Sequence, residues 1–139
     1  MRGVKRLRLA NYDYSSDGFY FVTICTDHRK PYLVGSNGEL VRRLIEQLPS
    51  KVHGVRLDFL QIMPSHIHLI LIPEDCQVTL GEIVRRLKAA ATRQAGFKLW
   101  QPNYYEHVIR NEKALARIRE YIQNNPSVER LALERFHEA

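Results

Sequence analysis

The chain has 139 residues, enough for one domain with a single buried core. Hydrophobic residues make up 45% and charged residues 26%, the balance of an ordinary globular protein, and no apolar run is long enough to span a membrane. Two cysteines, Cys25 and Cys76, fit neither a disulfide framework nor a four-ligand zinc site. The basic N-terminus has no apolar segment behind it, so it does not read as a secretory signal, and the expected setting is cytoplasmic. Lys and Arg total 21 against 15 Asp and Glu, a net charge of +6. Arg dominates, and its planar fork suits phosphate, which sets nucleic acid beside a plain solvated surface as the reading of this charge.

Residues 1–16 mix basic side chains with Tyr12 and Tyr14 and have no clear period, so they read as an arm on a single domain spanning 1–139. Phe19 to Cys25 is aromatic and β-branched, a strand. Gly35 to Gly38 reads as a turn before a helix over Glu39 to Leu48, ended by Pro49. Val55–Met63 and Ile67–Ile72 read as antiparallel strands joined tightly at Pro64-Ser65. Thr79 and Glu82 form a capping box for a helix with Leu80, Ile83, Val84, Leu87 and Ala91 on one side. Arg85, Arg86, Lys88 and Arg93 lie largely on the other side. A loop from Lys98 to Pro102, a strand over Tyr104–Ile109 and a helix from Glu112 to about Asn124 follow, capped by Asn111 and stopped by Pro126. Residues 127–139 form a short tail. The order β-α-β-β-α-β-α implies an α+β sandwich with a mostly antiparallel sheet. Two helices cover one face, and the other is left to present side chains.

His66 and His68 alternate within a strand, so both imidazoles share one face while Ile67, Leu69 and Leu71 point to the other. Two imidazoles this close are awkward in a core unless a divalent cation unites them, although such a pair also occurs as two half-exposed residues without a role. Ile70 excludes a third alternating histidine and an acidic third ligand. What remains is a two-histidine site completed by an oxygen ligand from elsewhere. On the last helix, Tyr121 and Asn125 are four apart and share a face, so Asn125 can offer an amide oxygen beside a phenol. Tyr121 also reads as a core-edge aromatic, and Tyr104 and Tyr105 are rival nucleophiles, but neither rival carries an amide on its own helical face.

The run from Met63 through His66-Ile67-His68 to Ile70, followed by Tyr121-Ile122-Gln123-Asn124-Asn125-Pro126, resembles the HUH single-tyrosine transposases. Asn11 to Ser15, Tyr20 to Thr26, Arg29-Lys30-Pro31 and His107 to Arg110 resemble the branch called REP-associated tyrosine transposases, a likeness running from about Arg6 to Pro126. The resemblance implies a ferredoxin-like (RRM-like) core with a four- to five-stranded sheet. It implies Mg²⁺ or Mn²⁺ held by His66, His68 and Asn125. It implies that Tyr121 forms a 5′-phosphotyrosine link and frees a 3′-hydroxyl on single-stranded DNA with hairpin-forming palindromes, without ATP. Lys5, Arg6 and Arg8 of the arm, Arg85, Arg86 and Arg93 of the helix, and Arg110 are the expected DNA contacts. The resemblance leaves open either a homodimer sharing the tyrosine helix or a monomer, and it implies a nucleoid-associated location. Two departures stand out: Ser65 replaces the Asn usual before the first histidine, and the tail is short. The alternatives are a hairpin-DNA binding protein with little or no cleavage, and a zinc hydrolase of small substrates.

Overall fold

The computed structural model describes residues 18–124; the arm with Lys5, Arg6 and Arg8, Asn125 and the tail 127–139 lie outside the described residues. Four antiparallel strands, β1 (Phe19–Cys25), β2 (Val55–Met63), β3 (His66–Pro73) and β4 (Tyr105–Ile109), form one sheet in the order β2-β3-β1-β4. The α+β architecture read from the sequence is the one observed. Both β1 and β3 are interior strands, which explains why every residue of β3 is buried despite its alternation.

One face of the sheet presents Tyr20, Val22, Ile24, Ile67, Leu69 and Leu71 to helices α1 (Gly35–Glu46), α2 (Leu48–Lys51) and α3 (Leu80–Ala95). α1 begins earlier than expected: the glycines at 35 and 38 are inside the helix, not in a turn before it. Gly38 lies so close to the preceding chain that a Cβ there would sit 2.8 Å from the Leu33 carbonyl oxygen. The glycine thus serves a close approach between chain segments. Pro49 does not simply stop α1, because it sits in the first turn of α2, where a missing N–H costs nothing.

α3 is capped by Thr79, whose side chain accepts from the Glu82 N–H, and ends at Gly96 in the left-handed conformation (φ 86°). The reciprocal half of the expected capping box is replaced. The Glu82 carboxylate accepts instead from Arg85 and Arg86, at 2.7 Å from each guanidinium.

The opposite face is not left open. α4 (Glu112–Asn124), capped by Asn111 accepting from the Ala114 N–H at 2.8 Å, buries Leu115, Ile118 and Ile122 against Phe21, Ile70 and Ile109. An apolar stripe on a helix must be buried, and among the described residues this sheet face offers the apolar surface that α1, α2 and α3 leave uncovered. α4 starts beside β4 at one edge of the sheet, yet its Arg119 donates to Asp58 of β2 at the other edge, with Nε 2.8 Å from Oδ2. The helix therefore crosses the whole face. Asp58 is free to make this bond because it is the extra residue where the β2–β3 register shifts between Leu57 and Phe59.

Candidate metal and tyrosine site

β3 places His66 and His68 on the α4 side of the sheet, opposite Cys25 and Thr23 of β1 and Met63 and Gln61 of β2. Both histidines are buried, 6% and 2% exposed, with ring centroids 4.8 Å apart at an angle of 68°. The Thr23 hydroxyl lies 3.0 Å from His68 Nδ1, and the Ser65 hydroxyl 3.4 Å from His66 Nδ1. Such contacts at Nδ1 orient the rings and leave Nε2 as the nitrogen that could face a metal ion. The Ser65 hydroxyl thus reaches the histidine that the resemblance made its neighbour.

The turn carrying Ser65 is itself pinned. Thr26 is fully buried; its N–H donates to the Ser65 carbonyl at 3.0 Å and its hydroxyl lies 3.1 Å from the same oxygen. The Leu33 N–H donates to the Pro64 carbonyl at 2.9 Å. The two-residue connection between β2 and β3 is therefore held from outside the hairpin, and with it the start of the histidine strand.

Tyr121 is half-buried on α4, packed against the small cluster that contains Phe21. Phe21 in turn lies 5.7 Å, centroid to centroid, from His68. Histidines and tyrosine helix thus occupy one face, with Phe21 as their common neighbour. Tyr105 shares that face, opposite Thr23, but is only 4% exposed, and Tyr104 packs in the core on the other side.

Among the described residues, no group of three or more His, Cys, Asp or Glu side chains stands ready for a metal ion. A cation here would have to draw on amide, carbonyl or water oxygens, as Mg²⁺ and Mn²⁺ commonly do. β2 offers one such oxygen: Gln61 Oε1 is buried without a hydrogen-bond partner among the described residues. Two imidazoles and an amide oxygen are together a donor set that could hold a divalent cation.

The arginines expected to meet DNA are divided between regions. Arg85, Arg86 and Arg93 are on α3, on the sheet face away from the histidines. Arg110 follows the end of β4 that pairs with Phe19, whereas His66 pairs with Cys25 at the other end of β1. Burial lowers the His107 pKa, and the nearby Arg110 charge lowers it further. Arg85 and Arg93, with Lys88, Lys98, Trp100 and Tyr104, line a groove of about 830 Å³ between α3 and the loop leading to β4. Lys88 Nζ donates to the Gln101 carbonyl at 2.7 Å, and burial pushes its pKa down to about 8. Lys98 and Trp100 were missed by sequence reasoning, as were Thr23, Thr26 and Gln61; only the mixed basic-aromatic composition of 98–105 gave a signal.

The family described as "Transposase IS200 like" matches residues 15–125, and the chain belongs to that family. An uncharacterized protein of Haemophilus influenzae is 36% identical over 88% of this chain and 87% of its own. A REP-associated tyrosine transposase of Escherichia coli is 26% identical over 81% of this chain and 68% of its own. Among solved structures, a REP-associated tyrosine transposase bound to a REP hairpin superposes with a TM-score of 0.72 at 26% identity, covering 86% of this chain and 72% of that one. Among the described residues no helix is long and apolar enough to cross a membrane.

Proposed function

We propose that the protein is a metal-dependent enzyme that nicks and rejoins single-stranded DNA at hairpin-forming elements, with Tyr121 as nucleophile. The observation that carries this reading is the placement of two buried imidazoles and the tyrosine helix on one face of the sheet, in a chain of a transposase family. Tyr104 and Tyr105 are almost fully buried, so half-buried Tyr121 is the better placed to meet a DNA strand.

Held by His66, His68 and Asn125, a Mg²⁺ or Mn²⁺ ion would neutralise the scissile phosphate and steady its developing charge. The rest falls to the chain. Thr23 and Ser65 orient the imidazoles. α4, crossing the sheet and tied down by Arg119 and Asp58, carries the Tyr121 phenol toward the phosphate. The deprotonated phenol oxygen attacks phosphorus, a bond to the 5′-phosphate forms, the P–O3′ bond breaks, and the departing oxygen takes up a proton as a 3′-hydroxyl. Because the phosphodiester energy is kept in the phosphotyrosine, a second 3′-hydroxyl end can reverse the step without ATP.

Outside the site, the basic groove of α3 is the natural seat for the DNA backbone, and with the basic arm it supports a nucleoid-associated location. α4 lies on its own sheet, which supports a site completed within one protomer rather than by a shared helix in a homodimer.

A hairpin oligonucleotide with a single-stranded flank, incubated with Mn²⁺ and run on a denaturing gel, tests the reading. Wild type should give a covalent protein–DNA band and Tyr121→Phe none, while His66→Ala and His68→Ala lose the band but keep salt-sensitive binding. An adduct that persists in Tyr121→Phe assigns the nucleophile elsewhere.

A further inference from the structure

We infer that Gln61 supplies an oxygen donor to the metal centre from the strand beside the histidines. This rests on the metal-site reading above and adds to it a residue on a third element. Gln61 stands directly opposite His68 in the β2–β3 ladder, and Met63 stands opposite His66. Directly opposed residues in an antiparallel pair share a face and bring their Cβ atoms to within about 5 Å. The neighbours Leu60 and Ile62 pack into the core on the other side, so Gln61 faces the histidines.

Its carboxamide oxygen is buried yet accepts no hydrogen bond among the described residues. A buried acceptor left in this state is costly and calls for a reason, of which an ion is one. Two imidazoles and the one amide expected of Asn125 leave a six-coordinate hard cation short of oxygen. A neutral amide oxygen from β2 meets that need without adding charge that would trap the ion or repel a phosphate. The position is also rigid: β2 is paired along its length with β3, and the hairpin between them is pinned by Thr26 and Leu33.

The test is Mn²⁺ titration calorimetry on the full chain without DNA, paired with thermal unfolding of the metal-free protein. Gln61→Met keeps the length and apolar stem but removes the oxygen. It should weaken Mn²⁺ binding on the order of tenfold, the scale on which supporting groups at metal sites act. The metal-free Tm should hold or rise, because an unsatisfied buried acceptor is gone. Gln61→Glu, which keeps an oxygen donor, should bind at least as tightly as wild type. Wild-type affinity in Gln61→Met overturns the inference, and so does an affinity loss that comes with a matching loss of metal-free Tm, since that marks a structural role. His66→Ala separates the two levels: if it also binds Mn²⁺ like wild type, the histidine site itself fails and the inference goes with it.

Discussion

On one face of the sheet, α1, α2 and α3 close over a broad core that includes Val41, Ile45, Leu48, Leu80, Leu87 and Leu99. On the other, α4 closes over a cluster of six buried residues beside the histidines. The first face has apolar area to spare. The second carries two buried imidazoles and a half-buried tyrosine, groups whose proposed role depends on their orientation. If the proposed function holds, stability and chemistry are separated by the thickness of a single sheet, so substitutions on the two faces should have different signatures.

The largest effect tests that separation directly. Leu87→Ala on α3 should cost about 3 kcal/mol in denaturant unfolding, the usual range for a buried leucine that leaves a cavity. Ile122→Ala on α4 should cost less, about 2 kcal/mol, because a small cluster at the C-terminal turn collapses more easily. It should nonetheless lower covalent adduct formation more than Leu87→Ala does. Equal activity losses from the two substitutions would erase the distinction between the faces.

Next in size is the tie across the face covered by α4. Asp58 is only 11% exposed while Arg119 is 39% exposed, so removing the guanidinium leaves a carboxylate largely out of water. Arg119→Ala should therefore cost about 1 kcal/mol, with a larger proportional drop in adduct yield as α4 loosens. Asp58→Ala combined with Arg119→Ala should be milder in stability than the sum of the two, measured as a double-mutant cycle.

How far this was legible in the sequence follows from which interactions are local. The alternation of His66, Ile67 and His68 forces both imidazoles to one face whatever the partner strands, and the stripe of Ile118 and Ile122 forces α4 onto a sheet. Those features were readable. The helical start at Gly35 was not, because the reason for Gly38 is the Leu33 carbonyl, a contact that exists only once the chain has folded back. Nor were Gln61, Thr23 and Thr26. Each matters through its register against His68 or Ser65, and the bulge at Asp58 that shifts β2 has no marker in the sequence. Asn111 and Thr79 were readable as caps, while the fate of the Glu82 side chain was decided by a choice between a backbone N–H and two guanidiniums.

A smaller effect concerns Lys88 on the face that holds the fold. Its pKa is about 8 in the folded protein, against 10.5 when exposed. Both states carry the proton below pH 8 and neither does above 10.5, so between these values the unfolded chain binds more protons and stability should rise with pH. Lys88→Met should flatten that rise, seen as a smaller gain in denaturant midpoint between pH 8 and pH 10.

The smallest effect asks whether this stabilising face also handles DNA. Arg85 and Arg86 are exposed, yet both are engaged by Glu82, whose carboxyl is held down to about 2, chiefly by the hydrogen bond from Arg85 and then that from Arg86. A DNA phosphate arriving at α3 must compete with this carboxylate. Glu82→Gln removes the competitor's charge and keeps Thr79 as the cap, so helix stability should hardly move, while affinity for a short single strand at low salt should rise roughly twofold to fivefold, as expected for surface pairs of modest strength. With its pKa near 2, Glu82 stays ionised throughout pH 4 to 8, so acidification over that range does not release the arginines and the gain in Glu82→Gln should be independent of pH. Fluorescence anisotropy at two pH values and two salt concentrations checks both points. A gain that vanishes at high salt places DNA on α3, joining the two faces in one function; no gain at any salt leaves α3 to the fold alone and moves the backbone contacts to the side of the sheet that carries the histidines.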